Sequence, residues 1–194
     1  YQLVGEVERR HELFGRPGKV LITYYESHGR MGLLDEAVRL AQESNTPADI
    51  AAVRQFRTRV GASLSIEQQL APDLGLFARA GKASGNVEAY EFTDIDRALE
   101  LGLSLKGARW NRANDTVGLA TMVNGISATR ERFLNAGGLG ILVGDGQLPD
   151  PGPERIVETY YSAAIFSQLF VTADFQRIVN PAYNADRGPV SVFS

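Results

Sequence analysis

Residues 57–70 read RTRVGASLSIEQQL, and apolar and polar side chains alternate along them. Val60, Leu64 and Ile66 fall on one side, which only Gln68 interrupts, and the other side is polar or small. Successive side chains of a β-strand point to opposite faces, so this segment has one apolar face and one hydrated face. About ten such residues, when tilted, also cross a bilayer once. The apolar face therefore contacts either a protein core or lipid.

The same alternation recurs along the rest of the chain. It is clear in residues 1–13, 74–83, 97–109 and 168–179, and weaker in 19–27, 115–132 and 154–166. A further strand begins at Pro189. The pattern predicts an all-β protein with about eight antiparallel strands and the start of a ninth.

The connections between these strands alternate between short and long. The short ones are 14–18, 71–73, 111–114 and 166–168, and the first three of them contain Pro, Gly, Asn or Asp, which suit tight turns. The long ones are 28–56, 84–96, 133–153 and 180–188. Outer-membrane barrels have short periplasmic turns and long external loops. The alternation of short and long connections therefore favours an up-and-down transmembrane β-barrel over a soluble sandwich.

The longest connection carries the helical signal of the chain. Within residues 33–55, apolar side chains from Leu34 to Ala41 recur at helical spacing. A second helix is predicted to start at Thr46, as N-cap, with Pro47 in its first turn. We expect this helical insertion in an extracellular loop to pack against the pore mouth.

Composition excludes several classes of protein. The 194 residues include no cysteine, which rules out disulfides and thiolate sites. A net charge of −3 gives no basic surface for nucleic acid. The chain has no run of about 18 apolar residues that would make a transmembrane helix. We expect residues 1–194 to form a single domain.

No catalytic or cofactor motif is present. His11 and His28 are isolated and lack the spacing of zinc ligands. The glycine-rich segment 137–146 lacks the lysine of a phosphate-binding loop. The sequence thus predicts no enzyme, no catalytic residue, no cofactor and no metal. One acidic cluster is expected to be a solvated loop: Glu88, Glu91, Asp94 and Asp96.

Aromatic residues lie near the predicted strand ends. Phe14, Trp110 and Phe166 sit beside short turns. The others, near long loops, are Tyr90, Phe92, Phe133 and Tyr183. Two such bands are typical of the interfacial girdles of a membrane barrel, although ordinary hydrophobic anchoring would also explain them.

Several stretches, in order, resemble the carbohydrate-selective porin family of Gram-negative outer membranes, the OprB-like porins. They are RTRVGASLSIEQQLAPDLGLFARAG (57–81), EAYEFTDIDRALELGLSLKGARWNRANDTVGLA (88–120), NGIS (124–127), AGGLGILVGDG (136–146), ERIVETYY (154–161) and DFQRIVNPAYNADRGPVSVF (174–193). Residues 1–56 match more loosely. The resemblance implies a barrel of about 16 strands that passes small sugars by diffusion.

This chain holds about half of those strands, corresponding to the C-terminal half of the family's barrel. Both of its ends look cut, so we expect the N-terminal half of the barrel to be missing. The remaining strands would come from that half or from another copy of the chain. Besides sugars, the expected contacts are outer-membrane lipid and further strands of the barrel.

The polar faces of the strands supply candidates for the lumen. Carboxylates and guanidinium groups bind sugar hydroxyls, and aromatic rings stack on the C–H face of a pyranose. Alternatively, the charges pair across neighbouring strands and stiffen the wall. The candidates are Arg57, Arg59, Glu67, Phe77, Arg79, Glu100, Lys106, Glu158, Tyr160, Asp174 and Gln176.

Two other interpretations remain open from the sequence. A soluble β-barrel or sandwich that binds or hydrolyses carbohydrate would bury Leu64, Leu101 and Leu103 under a second layer. A barrel with a structural or assembly role would expose the same residues but would not conduct. The position of these leucines separates the first interpretation from a porin.

Overall fold

The computed structural model describes residues 1–89, 93–141, 143–144 and 146–194. It contains one antiparallel sheet of nine strands, arranged in chain order. The strands are β1 (Gln2–Leu13), β2 (Arg16–Met31), β3 (Gln55–Ala71), β4 (Leu74–Ala83), β5 (Arg97–Gly107), β6 (Arg112–Gly125), β7 (Glu154–Phe166), β8 (Leu169–Val179) and β9 (Val190–Phe193). The all-β, up-and-down architecture predicted from the sequence is confirmed.

Short and long connections alternate along the whole sheet, as the sequence predicts. The short connections are 14–15, 72–73, 108–111 and 167–168, and the long ones are 32–54, 84–96, 126–153 and 180–189. We refer to the two rims as the short-turn end and the long-loop end. Phe14 and Gly15 form the first short turn, with φ of 53° and 69°. Two positive φ angles give a turn whose twist matches that of the flanking strands.

The predicted helix of the first long connection is present as α1 (Leu34–Ser44). It ends at Asn45, which adopts the left-handed conformation common at helix ends. The second helix predicted from Thr46 is absent, and the segment contains only a single 3₁₀ turn, Ala51–Val53. Thr46 does not cap a helix, because its hydroxyl contacts that of Ser44 instead.

The third long connection contains a helix that the sequence interpretation missed, α2 (Ala128–Asn135). Residues 115–132 were expected to form one strand, but β6 ends at Gly125. Ser127 caps the helix by accepting a hydrogen bond from the backbone N–H of Arg130 at 3.1 Å. Neither helix in the described residues is long and apolar enough to cross a membrane.

The outer face of the sheet is apolar and exposed. Side chains directly opposite each other on paired strands share a face. Ile66 pairs with Ala78, and Ala78 pairs with Leu101, so the apolar sides of β3, β4 and β5 coincide. Leu64, Leu101 and Leu103 are 38%, 49% and 38% exposed, with no second layer over them in the described part of the chain. The interpretation as a soluble sandwich, which requires these leucines to be buried, is therefore wrong.

The hydrophobic core lies in the long connections rather than in the sheet. Among buried hydrophobic side chains of the described residues, only Met31 belongs to a strand. We call the packed long connections the loop cap. Its core consists of Leu34, Ala37, Ala41, Ala48, Ile126, Phe133, Leu134, Val143, Leu148 and Tyr183.

The predicted aromatic band at the long-loop end is wrong for Phe133 and Tyr183. Both are at most 2% exposed, because α2 and the last connection bury them in the loop cap. Burial also raises the pKa of the Tyr183 hydroxyl, so that this group stays neutral. Tyr90 and Phe92 lie outside the described residues.

Other aromatic side chains mark the rims. At the short-turn end, Phe14 and Phe166 are exposed, whereas Trp110 is half-buried. At the long-loop end, His28 stacks between Tyr1 and Phe56, with ring centroids 5.0 and 5.8 Å apart. His28 and Phe56 lie on the outer face. Along β3, Phe56 and Thr58 point to the same side as Val60 and Leu64, and His28 pairs with Thr58.

The sheet is open. In the described residues, β1 pairs only with β2 and β9 pairs only with β8. The ladder between β1 and β2 runs from Gln2 to Leu13, so a long edge of β1 carries backbone groups without a partner strand. The predicted barrel architecture is therefore present as a sheet that is not closed.

An added charge should destabilise the barrel by different amounts on the two faces of the sheet. Leu101→Arg on the outer face should destabilise a bilayer-inserted barrel by about 2–4 kcal/mol, because the guanidinium would face hydrocarbon. Ser104→Arg, on the opposite, polar face of the same strand, should destabilise the barrel much less. Urea titration of folding into lipid vesicles measures both. Equal costs would contradict the assignment of the two faces.

Candidate functional site

The strand registers place the lumen candidates on one face of the sheet, which we call the inner face. A row of directly opposed residues crosses eight strands on that face. The row is Arg10, Lys19, Glu67, Phe77, Gly102, Ala120, Glu158 and Gln176. Neighbouring rows on the same face contain Arg79 opposite Glu100 and Tyr160 opposite Asp174. The parity inferred from alternation is thus reproduced across the whole sheet.

A groove of about 490 Å³ lies on the short-turn half of this face. Its lining includes Glu67, Phe77 and Arg79, together with Lys19 and Ser104. That volume is within the range of small-molecule sites. Three of the predicted candidates are therefore brought together around one concave surface.

The charges of the groove are arranged in pairs across neighbouring strands. Lys19 Nζ lies 3.2 Å from Glu67 Oε1, and an Arg79 guanidinium nitrogen lies 3.5 Å from Glu100 Oε2. The Arg79 side chain is 54% exposed. Exposed pairs of this kind contribute only about 0–1 kcal/mol to stability. The pairing expected of a stiffened wall is present, but it leaves these groups accessible to a solute.

A second polar group lies on β5 to β8. Gln176 Nε2 donates a hydrogen bond to Glu158 Oε2 at 3.0 Å. Lys106 Nζ donates to Thr116 Oγ1, also at 3.0 Å. Both contacts join directly adjacent strands. This part of the inner face thus presents amide, ammonium and carboxylate groups, and Tyr160 of β7 lies on the same face directly opposite Asp174.

The short turns are themselves joined by an ion pair. Arg109 Nε donates to Asp73 Oδ2 at 2.6 Å, and a second guanidinium nitrogen donates to Asp73 Oδ1 at 3.2 Å. This contact connects the turn between β3 and β4 to the turn between β5 and β6. The hydrogen bond from this guanidinium holds the pKa of the Asp73 carboxyl below its usual value.

Arg57 and Arg59 lie on the inner face but beneath the loop cap. Arg59 is only 6% exposed, and it donates to Val87 O at 2.9 Å and to Asp96 Oδ1 at 3.3 Å. Arg57 donates to Glu36 Oε2 of α1 at 2.6 Å. The structure therefore separates these two arginines from the open groove.

A buried ion-pair cluster joins the loop cap to the sheet. Arg130 donates to both oxygens of Asp96, at 3.0 and 3.1 Å, and to Asp94 Oδ1 at 3.1 Å. With Arg59, two guanidinium groups face two carboxylates, so their formal charges cancel. Asp96 also accepts a hydrogen bond from Ser127 N at 2.9 Å, which ties it to the start of α2.

The expectation of a solvated acidic loop is therefore wrong for Asp94 and Asp96, which are 2% and 4% exposed. Their partners lie too far along the chain for a local pattern to show the pairing. Glu88 is also paired, through a two-pronged contact of 2.9 and 2.5 Å with Arg54. Glu91 lies outside the described residues.

The sequence interpretation did not select Arg10, Lys19 or Tyr25 as candidates. All three lie on the inner face, because Arg10 pairs with Lys19, Lys19 pairs with Glu67, and Tyr25 alternates in step with Lys19 along β2. The polar side of residues 1–13 already contained Arg10, so extending the parity argument to β1 would have found it. Lys19 and Tyr25 lie in a strand whose alternation is weak, and only the register reveals them.

Comparisons with known proteins agree with this architecture. A family model described as carbohydrate-selective porin, OprB family, matches residues 1–194. Among solved structures, the chain is similar to "High pH structure of Pseudomonas putida OprB", with a TM-score of 0.77 and 18% sequence identity. The similarity covers 95% of this chain and 45% of that one, so the chain spans about half the length of the solved protein. No curated protein sequence matches the chain significantly.

The buried cluster predicts that Arg130→Met weakens the loop cap. Removing one partner should cost about 3–5 kcal/mol, because Asp94 and Asp96 would stay buried without its charge. Arg39→Met is the matched control, since Arg39 is exposed on α1 and pairs with Glu43 of the same helix. Native-state hydrogen exchange of α2 measures the opening free energy. Similar protection in both variants would contradict a stabilising role for the cluster.

Proposed function

Because the chain belongs to the carbohydrate-selective porin, OprB family, we propose that its sheet forms part of the wall of a channel through which small sugars diffuse passively. Family membership places the chain in the outer membrane and indicates a transport channel rather than an enzyme. The observation that carries the proposal is the division of the sheet into an exposed apolar outer face and a polar inner face. In a closed barrel, the first contacts lipid and the second lines water.

The chemistry of the groove suits sugars as solutes. Carboxylates such as Glu67 and Glu100 accept hydrogen bonds from hydroxyl groups, and the Arg79 guanidinium donates them. A sugar hydroxyl is both donor and acceptor, so it can bridge the two members of a charge pair. Since these pairs are exposed and contribute little to stability, a passing solute can replace one of their contacts at low cost.

A conducting pore requires a closed wall. An unpaired strand edge within hydrocarbon leaves backbone N–H and C=O groups without partners, which bilayers do not tolerate. The exposed edges of β1 and β9 therefore pair with further strands of the same kind. Those strands belong either to a longer chain that includes this one or to a second copy.

The loop cap narrows one end of the channel. It covers Arg57 and Arg59 on the inner face and leaves the groove around Phe77 open. In outer-membrane barrels the long loops face the exterior and the short turns face the periplasm. A sugar entering from outside therefore passes the loop cap first and reaches the groove afterwards.

Conductance across a planar bilayer tests the proposal. The closed barrel containing this sheet should conduct ions, and an added monosaccharide should reduce the current. Liposomes that contain the barrel and an impermeant solute should swell when a monosaccharide is added outside. A barrel with a structural or assembly role would insert without conducting, and that outcome would exclude the channel. Conductance without any sugar permeation would leave a porin of a different solute class.

Charge-removing variants should change the ion selectivity of the pore. Arg79→Ala removes a positive group from the groove and should shift selectivity towards cations, whereas Glu67→Ala should shift it towards anions. Leu101→Ala, on the outer face, is the control and should change neither. Reversal potentials across a salt gradient measure the shift. If both charge variants match the control, neither residue lies on the solute path.

A further inference from the structure

Three aromatic side chains of the inner face share one arrangement. Each stands directly opposite a glycine of a neighbouring strand, in the pairs β2–β3, β4–β5 and β6–β7. These are the strand pairs that the first three long connections join. The aromatic–glycine pairs are Tyr25 with Gly61, Phe77 with Gly102, and Tyr160 with Gly118.

In every pair the ring occupies the space where a side chain of the opposite residue would stand. A Cβ atom added at Gly61, Gly102 or Gly118 would lie 2.5 Å from the Cζ atom of the facing ring. No residue larger than glycine fits beneath the ring in this position. All three glycines are buried, whereas the rings remain partly exposed.

The glycine therefore sets the orientation of the ring. With only backbone beneath it, the end of the ring, at Cε1 and Cζ, reaches across to the facing glycine and lies against the wall. An aromatic residue opposite a larger side chain would instead stand away from the wall. Two other inner-face glycines, Gly75 and Gly81, have no ring over them. At Gly75, for example, the nearest heavy atom to an added Cβ is 4.0 Å away.

Polar groups border the Phe77 and Tyr160 rings. The Arg79 guanidinium carbon lies over the Phe77 ring, 5.0 Å from its centroid, and a stacking sugar would displace this exposed side chain. Glu67 stands directly opposite Phe77 on β3. Asp174 stands directly opposite Tyr160 on β8. A flat apolar surface with a carboxylate at its edge matches the shape of a pyranose, which has an apolar C–H face and hydroxyl groups around its rim.

Building on the proposed function, we propose that Tyr25, Phe77 and Tyr160 are stacking platforms that give the channel a preference for ring-form sugars over open-chain polyols. The ring form offers a C–H face to the aromatic surface, whereas an open-chain polyol of the same size does not. The opposite glycine makes the platform, because it lets the ring lie against the wall. The specificity thus belongs to each aromatic–glycine pair rather than to the aromatic residue alone.

The platforms lie at different levels along the strands. The Tyr160 row is two residues closer to the short-turn end than the Phe77 row, since Gly118 precedes Ala120 on β6. The Tyr25 row meets β3 at Gly61, six residues before Glu67, or about 20 Å along the strand. A sugar therefore meets the platforms in succession, and no single one holds it for the whole passage.

Paired flux measurements test the Phe77 platform. Reconstituted barrels are compared for the ratio of glucose to sorbitol flux, at concentrations well below saturation, and for ion conductance. Phe77→Leu removes the flat ring while keeping an apolar side chain, and Gly102→Ala keeps the ring but forces it off the wall. Both should lower the flux ratio about threefold, as expected if one aromatic stacking contact is lost.

One further variant serves as a control. Gly81→Ala adds the same methyl group to an inner-face glycine outside the groove, where the nearest heavy atoms to an added Cβ are 3.9 Å away, and should leave the ratio unchanged. An unchanged flux ratio in Phe77→Leu, with normal ion conductance, would show that the ring only packs the wall. That result would overturn the proposal that these rings are stacking platforms. Wild-type barrels that conduct ions but pass no glucose would instead overturn the proposed function.

Discussion

The pairing of every backbone N–H and C=O group within the bilayer is the constraint on which the rest of the structure depends. The chain meets it inside the sheet with a meander in which each strand bonds its sequence neighbours, while the outer edges of β1 and β9 have no partner strand in the described residues. Because lipid faces one side of such a sheet and water the other, neither face can hold a conventional core. Apolar side chains such as Leu64 and Leu101 are consequently exposed, and the close-packed apolar cluster is found in the long connections.

A sheet without a core of its own needs another means of fixing its loops. Arg130, Asp94 and Asp96 supply one, because they link two long connections to each other and, through Arg59, to β3. Burial of these charges has a large desolvation cost, and the cluster is favourable only as a complete set. Such a set specifies one position for the loop cap, which leaves the groove around Phe77 uncovered.

The sequence alone predicts the local features of this structure. Alternation in residues 57–70 gives the face of each side chain, and the short and long connections give the direction of each strand. It could not give the burial of Arg59, because Asp96 lies 37 residues away, or that of Asp96 beneath Arg130, 34 residues away. Phe133 and Tyr183 were misplaced for the same reason, since only tertiary packing shows that loop residues bury them.

The glycines show where pattern and structure complement each other. Alternation places Gly61, Gly102 and Gly118 on the inner face, but only the register reveals that a ring lies over each of them. Passage through a channel requires contacts strong enough to admit a solute and weak enough to release it. Exposed charge pairs and the proposed stacking surfaces both satisfy that condition, because each contributes a small free energy at a different point. A channel of the proposed kind would therefore favour sugars without trapping them.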